Sequence, residues 1–145
     1  MKHQNKLRKL NVSFKHRKAL LRNQMIHFIL HGKLCTTIAR IKEVKREIEK
    51  LVTIARKGNH YNVRRAVAQR IPYSKPAQEK LMFEIAPTYV SRPGGYTRLV
   101  HLHRRISDTA EVGVLSWVDD AYHGAASIQG VTTVSENQTE KLLTV

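Results

Sequence analysis

The sequence predicts an α+β protein: a two-layer α/β domain, order α-β-α-α-α-β-β, with a small mixed sheet, a basic N-terminal arm and a C-terminal tail. Three observations carry that prediction. Apolar residues recur at helical spacing from Phe14 to Ile29 and again from Ile38 to Ala55. Two β-prone runs, Tyr96 to Leu102 and Val112 to Val118, follow one another across a polar link. Gly32, Gly58, Pro72, Pro87 and Gly94-Gly95 punctuate the chain between these segments.

The elements follow in order. Residues 1–12 hold too few apolar side chains to bury themselves and read as a basic arm, flexible when free. Ser13 is suited to cap a first helix and Gly32 to end it, with Phe14, Leu21, Met25, Phe28 and Ile29 on the inner face. Leu34 to Thr37 reads as a short edge strand, and Thr37 can cap the next helix. In that helix Ile38, Ile41, Val44, Ile48, Leu51, Val52 and Ala55 form the buried stripe. Lys42, Glu43, Lys45, Arg46, Glu47, Glu49 and Lys50 are expected on its solvated side. A third helix spans 62–70 and stops before Pro72; a fourth begins at Ser74, buries Leu81, Met82 and Ile85, and is expected to end at Pro87. The globular unit is expected over 13–119, with 120–145 as a C-terminal extension, rich in Ser, Thr, Gly and Gln.

Charge narrows the function. The chain of 145 residues carries a net +15, and the imbalance is regional. Residues 1–105 hold 25 Lys/Arg against 5 Asp/Glu, whereas residues 106–145 hold 1 against 6. Eleven cations precede the first carboxylate, Glu43, so they cannot neutralise one another locally and call for an external polyanion. In the arm and first helix the candidate nucleic-acid contacts are Lys2, His3, Lys6, Arg8, Lys9, Asn11, Lys15, His16, Arg17, Lys18, Arg22 and Asn23. Arg64 and Arg65 add a dibasic pair suited to phosphate, as do Arg104 and Arg105.

The run Arg92-Pro93-Gly94-Gly95-Tyr96-Thr97-Arg98 has two readings. Its glycine amides can face an anion, with Arg92, Thr97 and Arg98 beside them and Tyr96 stacking on a base. Alternatively it is a tight turn with Tyr96 in the core.

Other chemistries find little support. His27/His31 and His101/His103 have ligand-like spacing but no CxxC or carboxylate partner, so no metal or cofactor is expected. Cys35 lacks a base, and the carboxylates form no acid–base constellation, so neither catalysis nor a small-molecule substrate is expected. One cysteine excludes an intramolecular disulfide, and no apolar run is long enough to span a membrane.

Four segments carry a resemblance: Arg8-Lys9-Leu10-Asn11, His16 to Asn23, Thr36-Thr37 with Ile38 to Lys57, and Ser91 to Arg98. Over about residues 1–119 the chain resembles the bacterial large-subunit ribosomal protein seventeen family. The resemblance implies a two-layer α/β fold and a structural, non-enzymatic role in the large subunit of a cytoplasmic bacterial ribosome. It also implies binding to large-subunit ribosomal RNA near the outer end of the peptide exit tunnel, beside neighbouring ribosomal proteins, with no membrane contact or homo-oligomer. Pro93 departs from the small residue more usual there, and 120–145 extends beyond the shorter members.

Overall fold

The structure, a computed structural model, describes residues 8–118. The element order is the one the sequence predicts, and the fold is α+β, with helices covering one side of a small sheet. Lys2, His3 and Lys6, together with the extension 120–145, lie outside the described residues.

Helix α1 spans Phe14–His31. The Ser13 hydroxyl accepts from the His16 N–H at 3.4 Å, and the N–H of left-handed Gly32 donates to the Phe28 carbonyl at 2.8 Å. Met25, Phe28 and Ile29 are buried, but Phe14 is 70% exposed, against expectation. The buried residues of α1 all lie in its C-terminal half, while Phe14, Arg17, Lys18 and Leu21 line an open cleft with Glu43 and Glu47, so helical spacing alone overstated the apolar face.

Strand β1 (Lys33–Thr37) leads into α2 (Ile38–Ala55), the central helix. Thr37 occupies the N-cap position, but its hydroxyl makes no cap bond. The Ile38 N–H donates instead to the Glu111 carbonyl at 3.0 Å, so a loop carbonyl meets the orphan donor. The predicted stripe from Ile38 to Ala55 is buried as expected. Glu43, expected in solvent, is 4% exposed, with Arg46 Nη1 at 3.8 Å from its carboxylate. Helix α3 (Tyr61–Arg70) buries Val63 and Val67.

Ser74 caps α4 (Lys75–Glu79), its hydroxyl accepting from Ala77 N–H at 3.3 Å. The segment continues as a π-helical stretch (Lys80–Ile85) and then α5 (Ala86–Thr88). Pro87 therefore does not end the helix. The wider π turn before it relieves the clash that a proline ring makes with the carbonyl four residues back in an α turn. Leu81, Met82 and Ile85 are buried as predicted, and Lys80 Nζ donates to the Leu30 carbonyl near the end of α1 at 2.8 Å.

Strands β2 (Thr97–His101) and β3 (Val112–Trp117) complete the sheet, in the order β1-β3-β2. Both pairings are antiparallel, which corrects the expected mixed sheet. The reason is topological: β3 returns from β2 and inserts between it and β1, separating the two strands that run the same way. Leu34, Leu115 and Leu99 form one row across the sheet on its helix-facing side. A Cβ on Gly113 would lie 2.9 Å from Val100 O and 2.9 Å from Leu99 Cδ1, so only glycine permits this close approach.

One core joins the layers. Trp117 stacks at 4.5 Å from Phe28 and 5.8 Å from Tyr89, and Tyr89 meets Tyr96 edge-on at 5.3 Å. These contacts tie α1, the end of α5, β3 and the residue ahead of β2 together.

Candidate nucleic-acid interface

The N-terminal half of α1 and the residues just before it carry a dense group of cations. Leu10 and Asn11 take left-handed backbone conformations (φ 59° and 53°), which reverses the chain before Ser13. The reversal brings Arg8 back alongside the helix, where its carbonyl accepts from Arg17 Nη1 at 3.1 Å. Arg8, Lys9 and Asn11 are exposed and share this side with α1. On the helix Lys15, His16, Lys18 and Asn23 are exposed, while Arg17 and Arg22 are half-buried.

The partially buried arginines lean on aromatic rings. The Arg17 guanidinium lies 5.9 Å from the Phe14 centroid, and that of Arg22 lies 5.9 Å from the Tyr73 centroid. Among the described residues no carboxylate comes within ion-pair distance of Lys15, Lys18 or Arg22. The first turn of α1 holds no acid, so the positive end of the helix dipole adds to these charges instead of being offset. A phosphate placed there meets cations and free helix N–H groups together.

The glycine turn settles differently from the first of its two readings. Tyr96 is fully buried and Thr97 is 3% exposed, so neither side chain is available to a base or phosphate. Their binding partner is α2. The Glu49 carboxylate accepts from Tyr96 N–H at 3.2 Å, Thr97 N–H at 3.2 Å and the Thr97 hydroxyl at 2.8 Å. The Tyr96 hydroxyl accepts from Arg56 Nη1 at 3.0 Å, and the same guanidinium donates to the Arg92 carbonyl. The run is thus clamped from beneath by Glu49 and Arg56. Gly94 and Gly95 remain exposed on its crest, with open space where a Cβ would point and φ 70° at Gly95. Arg92 is half-buried.

Sequence reasoning placed Glu49 on the solvated side of α2 and did not single out Arg56. Both act across more than thirty-five residues of chain, and no local signal marks such a pairing. Arg98, by contrast, is exposed on the outer sheet face, and register sets it beside Ser116 and Lys33 in one cross-strand row.

The dibasic pairs also differ. Arg64 and Arg65 are exposed on α3, with Arg64 Nε donating to Asn59 Oδ1 at 2.5 Å. Arg104 and Arg105 are both met by acids. Arg104 lies 3.5 Å from Glu111, and Arg105 grips Asp108 with two bonds of 2.8 and 2.5 Å. The Arg105 hydrogen bonds, aided by the Ala110 N–H, hold the Asp108 carboxyl down at about 2. Partial desolvation, and secondarily the like charge of His31, whose ring lies 4.4 Å away, lowers the His27 pKa. Among the described residues no group of three or more His, Cys, Asp or Glu is assembled to hold a metal, and no helix is long and apolar enough to cross a membrane.

Comparison with known proteins adds a second line. The family model described as "Ribosomal protein L17" matches residues 20–118. A "Large ribosomal subunit protein bL17" from Sulfurimonas denitrificans is 42% identical over 118 residues, covering 81% of this chain and 100% of the relative. A protein of the same description from Bdellovibrio bacteriovorus is 43% identical over 103 residues, 71% of this chain and 56% of the relative. Another from Akkermansia muciniphila is 40% identical over 119 residues, 82% of this chain and 86% of the relative.

Proposed function

The chain belongs to the ribosomal protein L17 family, and from that premise we propose that its cationic α1 surface binds large-subunit ribosomal RNA and helps the subunit assemble. Membership makes it a structural, non-enzymatic constituent of the large subunit of the bacterial ribosome. The RNA contact and its place on the particle are the further reading. The observation that carries it is the row of Lys15, Lys18 and Arg22 on a helix start, none of them ion-paired to a described carboxylate. Fixed cations without internal partners release counterions when they meet phosphates, and that release drives binding.

Exposed Arg8, Lys9, Asn11, Lys15, His16, Lys18, Asn23, Arg64, Arg65 and Arg98 belong to this proposal, with half-buried Arg17, Arg22 and Arg92 as partial contributors. Lys2, His3 and Lys6 extend it into the arm. The backbone of Gly94 and Gly95 can approach RNA closely, whereas the Tyr96 and Thr97 side chains serve the fold. The resemblance further supports a position near the outer end of the peptide exit tunnel, beside other ribosomal proteins, as a single copy.

Co-sedimentation tests the reading. Tagged protein should recover with large subunits in roughly one-to-one ratio through a moderate salt wash. Recovery mainly in ribosome-free fractions, as for a free regulatory nucleic-acid binder, would overturn it.

A further inference from the structure

We propose that the cleft between the start of α1 and the link ahead of α4 holds one unpaired RNA nucleotide, its base stacked on Tyr73 and Phe14 and its phosphate on Lys15 or Lys18. The proposal rests on the RNA-binding reading above and gives that surface a specific ligand.

The cleft has a volume of about 340 Å³, within the range that takes a small ligand group. Phe14 enters it from the first turn of α1 and Tyr73 from the link after α3. They are 70% and 80% exposed, so neither ring contributes to the core. Two large aromatic rings left in water on one cleft mark a contact surface more than a packing remnant. The Arg22 guanidinium lies 5.9 Å from the Tyr73 centroid, so a cation already borders that ring in the cleft. Ala19 sits one helical turn from both Lys15 and Asn23 and leaves the floor clear for a planar group.

Charge selects the ligand. Lys15, Lys18 and Arg22 line the cleft, and no acid does. Two flat apolar faces beside three cations fit a ligand that is itself flat and anionic. A nucleotide extruded from its stack offers both properties. Paired RNA offers phosphates alone, because its base faces are already stacked, and would leave the rings wet. An acidic peptide would likewise satisfy the lysines but not the rings. The Asn23 amide at the rim can reach a base edge, giving a further polar contact.

The test uses the full chain and two probes of equal charge, a single-stranded oligoadenylate carrying one 2-aminopurine and a fully paired RNA duplex. Tyr73→Ala and Phe14→Ala should each lower single-strand affinity about ten-fold, as for loss of one stacking partner, and leave duplex affinity unchanged. Binding by the unaltered protein should quench 2-aminopurine; Tyr73→Ala should abolish the quench and Tyr73→Phe should retain it. Thermal melting should not move, since both rings are exposed. Undiminished affinity and quenching in the alanine variants, or an equal loss on both probes, would overturn the proposal while leaving RNA binding intact. Failure of the unaltered protein to bind either probe would overturn both readings.

Discussion

The start of α1 and the loop between β2 and β3 are both rich in basic residues, yet their electrostatics are opposite. At the start of α1, Lys15, Lys18 and Arg22 form no ion pair with a described carboxylate. In the loop, Arg104 and Arg105 are met by Glu111 and Asp108, and Asp108 also accepts from the Ala110 N–H within the turn. A dibasic pair in sequence is therefore a weak indicator of phosphate binding. What matters is whether the folded chain brings an acid within ion-pair distance to absorb the charge. Asp108 does so for Arg105, whereas Glu43 and Glu47, which line a cleft with Lys18, pair instead with Arg46, Lys50 and Arg70.

The most severe way to break this comparison is to remove the unpaired cations. Lys15→Gln, Lys18→Gln and Arg22→Gln together should cost roughly a hundred-fold in affinity for large-subunit RNA near 0.1 M salt. The slope of log K against log salt should flatten by about 2 to 3, which a salt titration reads directly.

The glycine turn lies between the two cases: Arg92 and Arg98 flank it, but α2 fixes its shape. Glu49→Ala leaves three partially buried donors without an acceptor and should lower stability by about 2 kcal/mol, measured by urea unfolding. RNA affinity should fall only as far as the Gly94–Gly95 crest loses its position.

Neutralising the loop arginines is the converse test. Arg104→Gln with Arg105→Gln should change RNA affinity by less than about two-fold, because the charge is already balanced where it stands. The smallest effect is a titration. The Asp108 carboxyl should titrate at about 2 by NMR, and Arg105→Gln should return it toward the ordinary 3.8. Since its folded pKa is depressed, the Arg105–Asp108 contact is fully present above pH 3.8 and is lost as pH falls through about 2.

Much of the fold was legible because it is local. Ser13, Gly32 and Ser74 act as the caps their residue types predict, and the α2 stripe is buried as its spacing requires. What local patterns could not carry was long-range. The burial of Glu43, the clamp of Glu49 and Arg56 on the glycine turn and the insertion of β3 between β1 and β2 all depend on tertiary placement. The cationic candidates on α1 were readable from charge alone. Phe14 and Tyr73 were not: helical spacing puts Phe14 in the core and the sequence reading does not single out Tyr73, whereas the structure places both on one cleft.

Residue-resolved crosslinking of RNA to this protein inside intact large subunits tests the central claim most directly. Crosslinks should concentrate between Arg8 and Asn23 and at Tyr73, and be scarce at Arg104 and Arg105. Crosslinks centred on the β2–β3 loop, with the start of α1 free of RNA, would contradict the account.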